Sequence, residues 1–124
     1  MDVNLADVHA EISDVFWKYT NALKANDIDV VTNSFWNSEH TLRYGTGENL
    51  YGMQAITGFR NSQRGQPIDL EITRLVISAF NQDFGTANCE MNRIDLGVAC
   101  RMSHSWVRFV DGWRIVAAHV SLDP

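Results

Sequence analysis

Two polar side chains lie where the hydrophobic pattern of the sequence calls for apolar ones. Tyr19 lies on the apolar stripe of an N-terminal helical segment, and Arg43 lies in an alternating segment just before the glycines of TLRYGTGENLYG. A buried phenol needs a hydrogen-bond partner, and a guanidinium can bind a carboxylate through two parallel hydrogen bonds. The pair is therefore a candidate site for a small anion. A hydrogen-bonded core tyrosine and a solvent-facing arginine are the ordinary alternatives.

Further polar candidates fall on the predicted strands of the second half. Asn88 and Glu90 share one strand face, and alternation places His119 on the same face as Trp113 and Ile115. A sheet-edge pair and a hydrogen-bonded core histidine are the ordinary explanations for these residues. On one concave sheet face, however, they would join the phenol and the guanidinium around a single cavity, which suits a small anionic ligand.

Other kinds of site have little support in the sequence. The third glycine of residues 45–52 comes too late for G-x-G-x-x-G, and no βαβ unit follows, so phosphate binding is not predicted. The four histidines form no H-x-H or HExxH pair, although strand alternation leaves open that His104 and His119 lie close together. No G-x-S-x-G elbow or CxxC spacing is present. We therefore predict no metal and no cofactor.

Length and charge narrow the class of protein. A chain of 124 residues is expected to form one domain spanning residues 1–124, with a core that needs no disulfide or metal. The net charge of −5 and the lack of a Lys/Arg block argue against binding to nucleic acid or to an acidic membrane surface. The N-terminus has no signal-peptide pattern, and no apolar run is long enough to span a membrane. These features predict a cytoplasmic protein.

The apolar spacing predicts three helices in the first half of the chain. The first covers residues 5–23 and ends at Asn26, and Asp27 caps a second helix that runs to about Phe35. From His40 the period changes to two, which places Arg43 on the opposite face from its neighbours in the strand. A third helix is predicted over 53–62, and RGQP at 64–67 ends it.

The second half is predicted to consist of strands. They cover residues 71–80, 84–93, 98–110 and 113–122, and Asp111–Gly112 gives the strongest hairpin signal. Helices first and consecutive hairpins later indicate an α+β fold, in which a curved antiparallel sheet wraps around the helices.

Two long stretches closely resemble one known family. SFWNSEHTLRYGTGENLYGMQAITGFR and SWVRFVDGWRIVAAHVSL are similar to the AtzH-like family, which includes oxalurate-catabolism (HpxZ-like) proteins. The resemblance covers nearly the whole chain and implies the nuclear transport factor 2-like, or SnoaL-like, superfamily. The implied fold is a cystatin-like cone with three helices on a strongly curved antiparallel sheet. Homodimers that pack sheet against sheet are implied as well.

The resemblance also implies a function. Members act beside amidase-signature enzymes in the degradation of nitrogen compounds, and one branch resembles cofactor-free amidohydrolases that act on a small carboxylated urea. Tyr19 and Arg43 match the expected active-site pair, in which Arg43 binds the anion and Tyr19 transfers the proton. The candidate substrate-binding residues around them are Trp36, His40, Arg60, Asn88, His104 and His119.

The sequence departs from the family pattern at several positions. Met102 and His104 replace two glutamines in the long strand, and an arginine after the third helix is displaced to Arg64. The substrate is therefore not transferred, and three hypotheses stay open. The leading one is an amidohydrolase for a carboxylated urea or oxalurate-like anion. The others are a non-catalytic binding or accessory protein for an amidase, and a dimeric structural partner without a ligand. All site assignments depend on which sheet face Arg43 occupies.

Overall fold

Three helices and six strands make up the residues that the structure describes, 1–66 and 68–124, in this computed structural model. The helices are α1 (Ala6–Ala25), α2 (Ile28–Asn33) and α3 (Met53–Ser62). The strands are β1 (Leu42–Tyr44), β2 (Asn49–Tyr51), β3 (Leu70–Phe80), β4 (Phe84–Arg93), β5 (Val98–Phe109) and β6 (Gly112–Leu122). The predicted order of elements and the α+β class are confirmed.

One face of α1 supplies much of the core. Val8, Ile12, Phe16, Tyr19 and Leu23 recur every three or four residues and are all at most 7% exposed. Burial of a large apolar side chain contributes roughly 1.5–3 kcal/mol, so packing against the sheet, more than intrinsic propensity, stabilises this helix. None of the helices in the described residues is long and apolar enough to cross a membrane.

The junction between α1 and α2 follows the predicted capping signals. Asn26 adopts a left-handed conformation with φ of 53°, and the Asp27 side chain accepts a hydrogen bond from the backbone N–H of Val30 at 3.3 Å. The Asn26 side chain also donates to the carbonyl of Gln63 at 3.1 Å, which ties this junction to the end of α3. The segment RGQP was predicted to end α3, but its Pro67 lies outside the described residues.

The strands form one curved, open sheet in the order β2-β1-β6-β5-β4-β3. Every neighbouring pair is antiparallel except β1 and β6, which run parallel. The sheet is therefore mixed, whereas the sequence predicted an antiparallel one. Phe35, which precedes β1, forms an isolated parallel bridge with Ile115 of β6. The chain therefore already runs parallel to β6 before β1 begins.

The pleat separates two rows of side chains that cross most of the sheet. The buried row, at most 8% exposed, consists of Arg43, Ala118, His104, Ala87 and Ile77. The adjacent row on the outer face consists of Tyr44, His119, Ser103, Asn88 and Val76. The buried row faces the helices, so the question of which face Arg43 occupies is answered: it lies on the inner face.

A β-bulge decides the position of His119. The pairing of β5 with β6 shifts register between Ser105 and Trp106, and Val116 is the extra residue on β6. Ile115 therefore faces the core with 0% exposure, whereas His119 is exposed on the outer face. The prediction that these two residues share a face is wrong, because a bulge resets the alternation of side chains beyond it.

Candidate ligand-binding site

A cavity of about 520 Å³ opens between α3, the β1–β2 turn and the ends of β4 to β6. Its wall carries the charged side chains of Arg43, Glu48, Arg60, Arg93 and Asp95. Apolar side chains from α3 and from β5 and β6, including that of Phe59, complete the lining. A cleft with an apolar lining and a few convergent charged groups is the usual form of a small-molecule site.

Arg43 reaches this cavity from β1. Its guanidinium carbon lies 4.9 Å from the centre of the Phe59 ring, and its Nη1 pairs with the Glu48 carboxylate. Gly45 makes this pair possible, because a Cβ at that position would lie 1.8 Å from the Glu48 Oε1 and 2.8 Å from the Arg43 Nη1. The short hairpin in TLRYGTGENLYG therefore places the Glu48 carboxylate next to its own turn, where it pairs with Arg43.

Arg60, from the last turn of α3, is the most deeply buried cation of the site. It is 4% exposed, and its Nη2 donates to the Tyr19 hydroxyl at 2.8 Å. Its Nε has no hydrogen-bond partner, and no carboxylate of the described chain lies within 4.0 Å of it. Burial, followed by the charge of Arg43, lowers the pKa of Arg60. A buried cation without a counter-ion is costly, and an anion in the cavity would relieve that cost.

Tyr19 and His104 lie side by side behind Arg60. The two ring centres are 5.0 Å apart and meet edge to face, and both side chains are 2% exposed. Neither ring nitrogen of His104 has a hydrogen-bond partner in the described residues. Burial and then the charges of Arg60 and Arg43 lower the pKa of His104 to about 3, so its imidazole is neutral near pH 7.

The rim of the cavity carries a second ion pair. The Arg93 Nε and Nη2 donate to the two carboxylate oxygens of Asp95, at 3.0 Å and 2.8 Å. The hydrogen bonds from Arg93 lower the pKa of Asp95, and those to Asp95 raise the pKa of Arg93. Because the two groups satisfy each other, Arg93 has less attraction left for a ligand than Arg60 has.

Two predicted binding residues lie away from this cavity: Trp36 lines a different groove, and His40 lies beside Trp36. Trp36 stacks on Phe109 with ring centres 5.2 Å apart, and His40 is exposed beside it. This groove, of about 560 Å³, contains Arg114, whose guanidinium already contacts the Asp111 carboxylate at 3.3 Å. It is slightly larger than the cavity around Arg60, but among the described residues it offers no buried cation without a counter-ion, so we place the site at Arg60.

Two other predicted binding residues lie on the outer face of the sheet. Asn88 and His119 are exposed there and flank Ser103, on the opposite face from His104. The side chains of His104 and His119 therefore lie on opposite faces of the sheet. The possibility that strand alternation brings the two histidines together to bind a metal is excluded. In the described residues no group of three His, Cys, Asp or Glu side chains is placed to hold a metal ion.

Arg93, Asp95 and Phe59 line the cavity but were not predicted as site residues. Arg93 ends β4 and Asp95 lies in the turn that follows, far in sequence from the N-terminal candidates, and only the tertiary fold brings them to the same cavity. Cys100 also lines the cavity, but burial raises its pKa, which makes it a poor nucleophile. Cys89 is buried as well, and burial raises its pKa to about 11.

Comparison with solved structures defines the class of protein. A nuclear transport factor 2-like superfamily protein from Salmonella enterica superposes with a TM-score of 0.80 at 21% identity, covering 96% of this chain and 93% of that one. At this identity the likeness shows the fold alone, which is the predicted cystatin-like cone. The chain therefore has the nuclear transport factor 2-like fold, with a cavity on its inner side.

Two solved structures are much more similar in sequence. A DUF3225-family protein with unknown function from Pectobacterium atrosepticum is 41% identical, with a TM-score of 0.94 over 99% of this chain and 96% of that one. A cystatin-like fold protein from Burkholderia xenovorans is 36% identical, with a TM-score of 0.91 over 98% and 96%. No functionally curated protein matches the chain. The chain belongs to the AtzH-like family, whose pattern it matches over residues 1–124.

Proposed function

We propose that the protein binds a small carboxylate in the cavity at Arg60 and Arg43 and hydrolyses an amide bond in it without a metal or cofactor. The proposed substrate is a carboxylated urea or an oxalurate-like anion. The observation that carries the proposal is Arg60, a buried cation that lines the cavity and has no carboxylate within 4.0 Å in the described chain. Arg43 adds a second guanidinium to the same wall.

The proposed chemistry uses the contact between Arg60 and Tyr19. Arg60 and Arg43 hold the ligand carboxylate and stabilise the oxyanion that forms when water attacks the amide carbon. The carbon–nitrogen bond then breaks, and the leaving nitrogen takes the proton of the Tyr19 hydroxyl. The attacking water returns a proton to the tyrosine oxygen, so an amide and a water give a carboxylic acid and an amine, and the acid releases its proton to solvent at neutral pH. Arg60 orients that oxygen through the 2.8 Å hydrogen bond.

A turnover assay tests the proposal directly. Purified protein is incubated with dicarboxyurea, carboxybiuret and oxalurate, and the release of ammonia and carbon dioxide is measured. We expect release from at least one compound, with a loss of about a hundredfold or more in Arg43→Ala and in Tyr19→Phe. Arg74→Ala, which removes an exposed arginine from β3, is the matched control and should keep full activity. Activity in wild type that survives both substitutions would overturn the assigned roles.

A non-catalytic binding or accessory protein is the second candidate. It is favoured by the burial of Tyr19, which is 2% exposed and does not line the cavity of the free protein. In that case the same compounds raise the unfolding temperature without being consumed, and Arg43→Ala abolishes the shift. Absence of both turnover and a temperature shift would instead favour the third hypothesis, a structural partner without a ligand.

We also propose a homodimer that packs through the outer face of the sheet, and a functional link to an amidase-signature enzyme. The support for both is membership in the AtzH-like family together with the resemblance of the two long motifs. Sedimentation equilibrium should give about twice the chain mass of 14.0 kDa. A mass near that of one chain would exclude the homodimer.

A further inference from the structure

Only one nitrogen of the Arg43 guanidinium is used within the described chain. Its Nη1 pairs with the Glu48 carboxylate, whereas its Nε and Nη2 donate to no described residue. A guanidinium carries five N–H donors in a rigid plane, so this pair leaves most of them for another acceptor. Because Arg43 also lines the cavity, a ligand carboxylate can bind it without displacing Glu48.

The Arg43 guanidinium lies against an aromatic ring that it shares with Arg60. The guanidinium carbons of Arg43 and Arg60 lie 4.9 Å and 5.6 Å from the centre of the Phe59 ring. Burial lowers the pKa of Arg60, and the charge of Arg43 lowers it further, so the two cations repel each other. Such repulsion favours conformations in which one arginine turns away from the other, unless a third group holds it in place.

Glu48 supplies that restraint. Its side chain is 27% exposed on the cavity wall and contacts Arg43 through one carboxylate oxygen. The turn that carries it is closed by a hydrogen bond of 2.9 Å from the Gly45 N–H to the Glu48 carbonyl, and Tyr44 pairs with Asn49 beside it. These backbone interactions do not use the Glu48 side chain. A substitution there therefore changes the restraint on Arg43 without removing the turn.

We propose that Glu48 is a positioning residue, which holds the Arg43 guanidinium against Phe59 so that the remaining N–H groups are available to a ligand before it binds. A preformed site avoids the cost of ordering a long side chain during binding, which for one such side chain weakens affinity by up to about tenfold. The inference rests on the proposed binding of a carboxylate in this cavity. It adds a residue that acts on the ligand through Arg43.

Three substitutions of Glu48 separate positioning from charge. Glutamine and alanine both remove the negative charge, but only glutamine keeps an acceptor for the Arg43 Nη1. Aspartate keeps the charge, but its carboxylate ends one carbon short of Arg43. The probe is succinamate, a small carboxylate with an amide at its other end. Its affinity is measured by isothermal titration at pH 7 and constant ionic strength, and thermal unfolding shows that each free variant is folded.

We expect Glu48→Ala to bind succinamate about tenfold more weakly than Glu48→Gln, because only the alanine variant must order Arg43 during binding. Glu48→Asp should bind at least about threefold more weakly than wild type, although the charge of the site is the same. Asn49→Ala is the matched control. Asn49 follows Glu48 in sequence, is exposed and does not line the cavity, so this variant should keep the affinity of wild type.

The outcomes separate this inference from the function on which it rests. Equal affinities in Glu48→Gln and Glu48→Ala, or wild-type affinity in Glu48→Asp, would overturn the positioning role while leaving carboxylate binding intact. Glu48→Asp carries the test alone if Glu48→Ala does not fold. If wild type does not bind succinamate, carboxylate binding in the cavity is refuted, and the positioning role falls with it.

Discussion

The two faces of one sheet differ in what their polar residues can do. On the inner face, Arg43 and His104 are at most 8% exposed and lie near Arg60 and Tyr19. On the outer face of the single chain, His119 and Asn88 are exposed and lie next to Ser103. Electrostatic interactions are strongest where water is excluded, so the buried His104 acquires a lowered pKa and the buried Arg60 an unmet charge on the inner side of the sheet.

His104 and His119 make this comparison sharpest. Ser103 pairs with His119 across the β5–β6 ladder, so the backbones of the two histidines are adjacent while their side chains lie on opposite faces. His104 is held neutral by burial and by two arginines, whereas His119 is exposed and meets the Tyr44 ring edge to face, with ring centres 5.8 Å apart. Position relative to the pleat, rather than residue type, decides which histidine belongs to the site.

The largest expected difference between the faces is in stability. Phe16→Ala removes a side chain of 0% exposure that packs against the inner face, and should lower the free energy of unfolding by about 3–5 kcal/mol. In the single chain, Val76→Ala, on the outer face at 48% exposure, should change it by less than about 0.5 kcal/mol. Urea unfolding followed by circular dichroism measures both, at protein concentrations low enough to dissociate the proposed homodimer. Similar losses in the two variants under these conditions would contradict the difference between the two faces.

The pH dependence of stability should report the burial of His104. The pKa of His104 is depressed in the folded state, so the unfolded chain takes up the proton first as the pH falls through 6.5. Stability from this residue is therefore full above about pH 6.5 and is lost progressively toward pH 3. Between pH 7 and pH 5 the loss is about 2 kcal/mol.

A glutamine variant isolates that effect from the other titrating groups. His104→Gln should reduce the loss of stability between pH 7 and pH 5 by about 2 kcal/mol relative to wild type. An unchanged slope in His104→Gln would mean that this imidazole is accessible to water in the folded protein.

Alanine substitution of two glycines should change the free energy of unfolding by smaller amounts and in opposite directions. A Cβ at Gly85, on the inner face of β4, would lie 2.2 Å from the Ile12 Cδ1 and 2.7 Å from the Ser78 carbonyl oxygen. Gly85→Ala should therefore destabilise by about 1–3 kcal/mol. Gly58 lies in α3 with no atom within 4 Å of the added Cβ, and Gly58→Ala should stabilise by about 0.5–1 kcal/mol. Thermal unfolding compares them, and a tolerated Gly85→Ala would show that α1 can shift away from the sheet.

Features set by nearby residues could be predicted from the sequence. The bounds of α3, the caps at Asn26 and Asp27, and the alternation of side chains along β1 depend only on residues a few positions away, whereas the face that Arg43 occupies was left open. Arg43 was thus placed on the correct strand, and alternation correctly separated it from its two neighbours. The family resemblance supplied the cone, which local patterns alone could not specify.

Features set by distant contacts could not be predicted. The bulge at Val116 depends on how β5 and β6 pair, and without it His119 is assigned to the wrong face. Arg93 and Asp95 join Arg43 only because the sheet curves around α3. Trp36 is close to Arg43 in sequence, but it stacks on Phe109 in another groove. Three arginines line the cavity, and among the described residues Arg43 and Arg93 are paired with carboxylates while Arg60 is not. This difference can be recognised only when all ion pairs of the folded cavity are known.

The most direct test of the central claim compares wild type with Arg60→Met by thermal unfolding, with and without succinamate. Methionine keeps the contacts with Phe35 and Phe59 but removes the buried charge. The free energy of unfolding of the free variant should stay within about 1 kcal/mol of wild type. At 100 times its dissociation constant, succinamate should stabilise wild type by about 2.7 kcal/mol and should not stabilise the variant. Equal stabilisation of both proteins would show that Arg60 does not hold the carboxylate and would contradict the account.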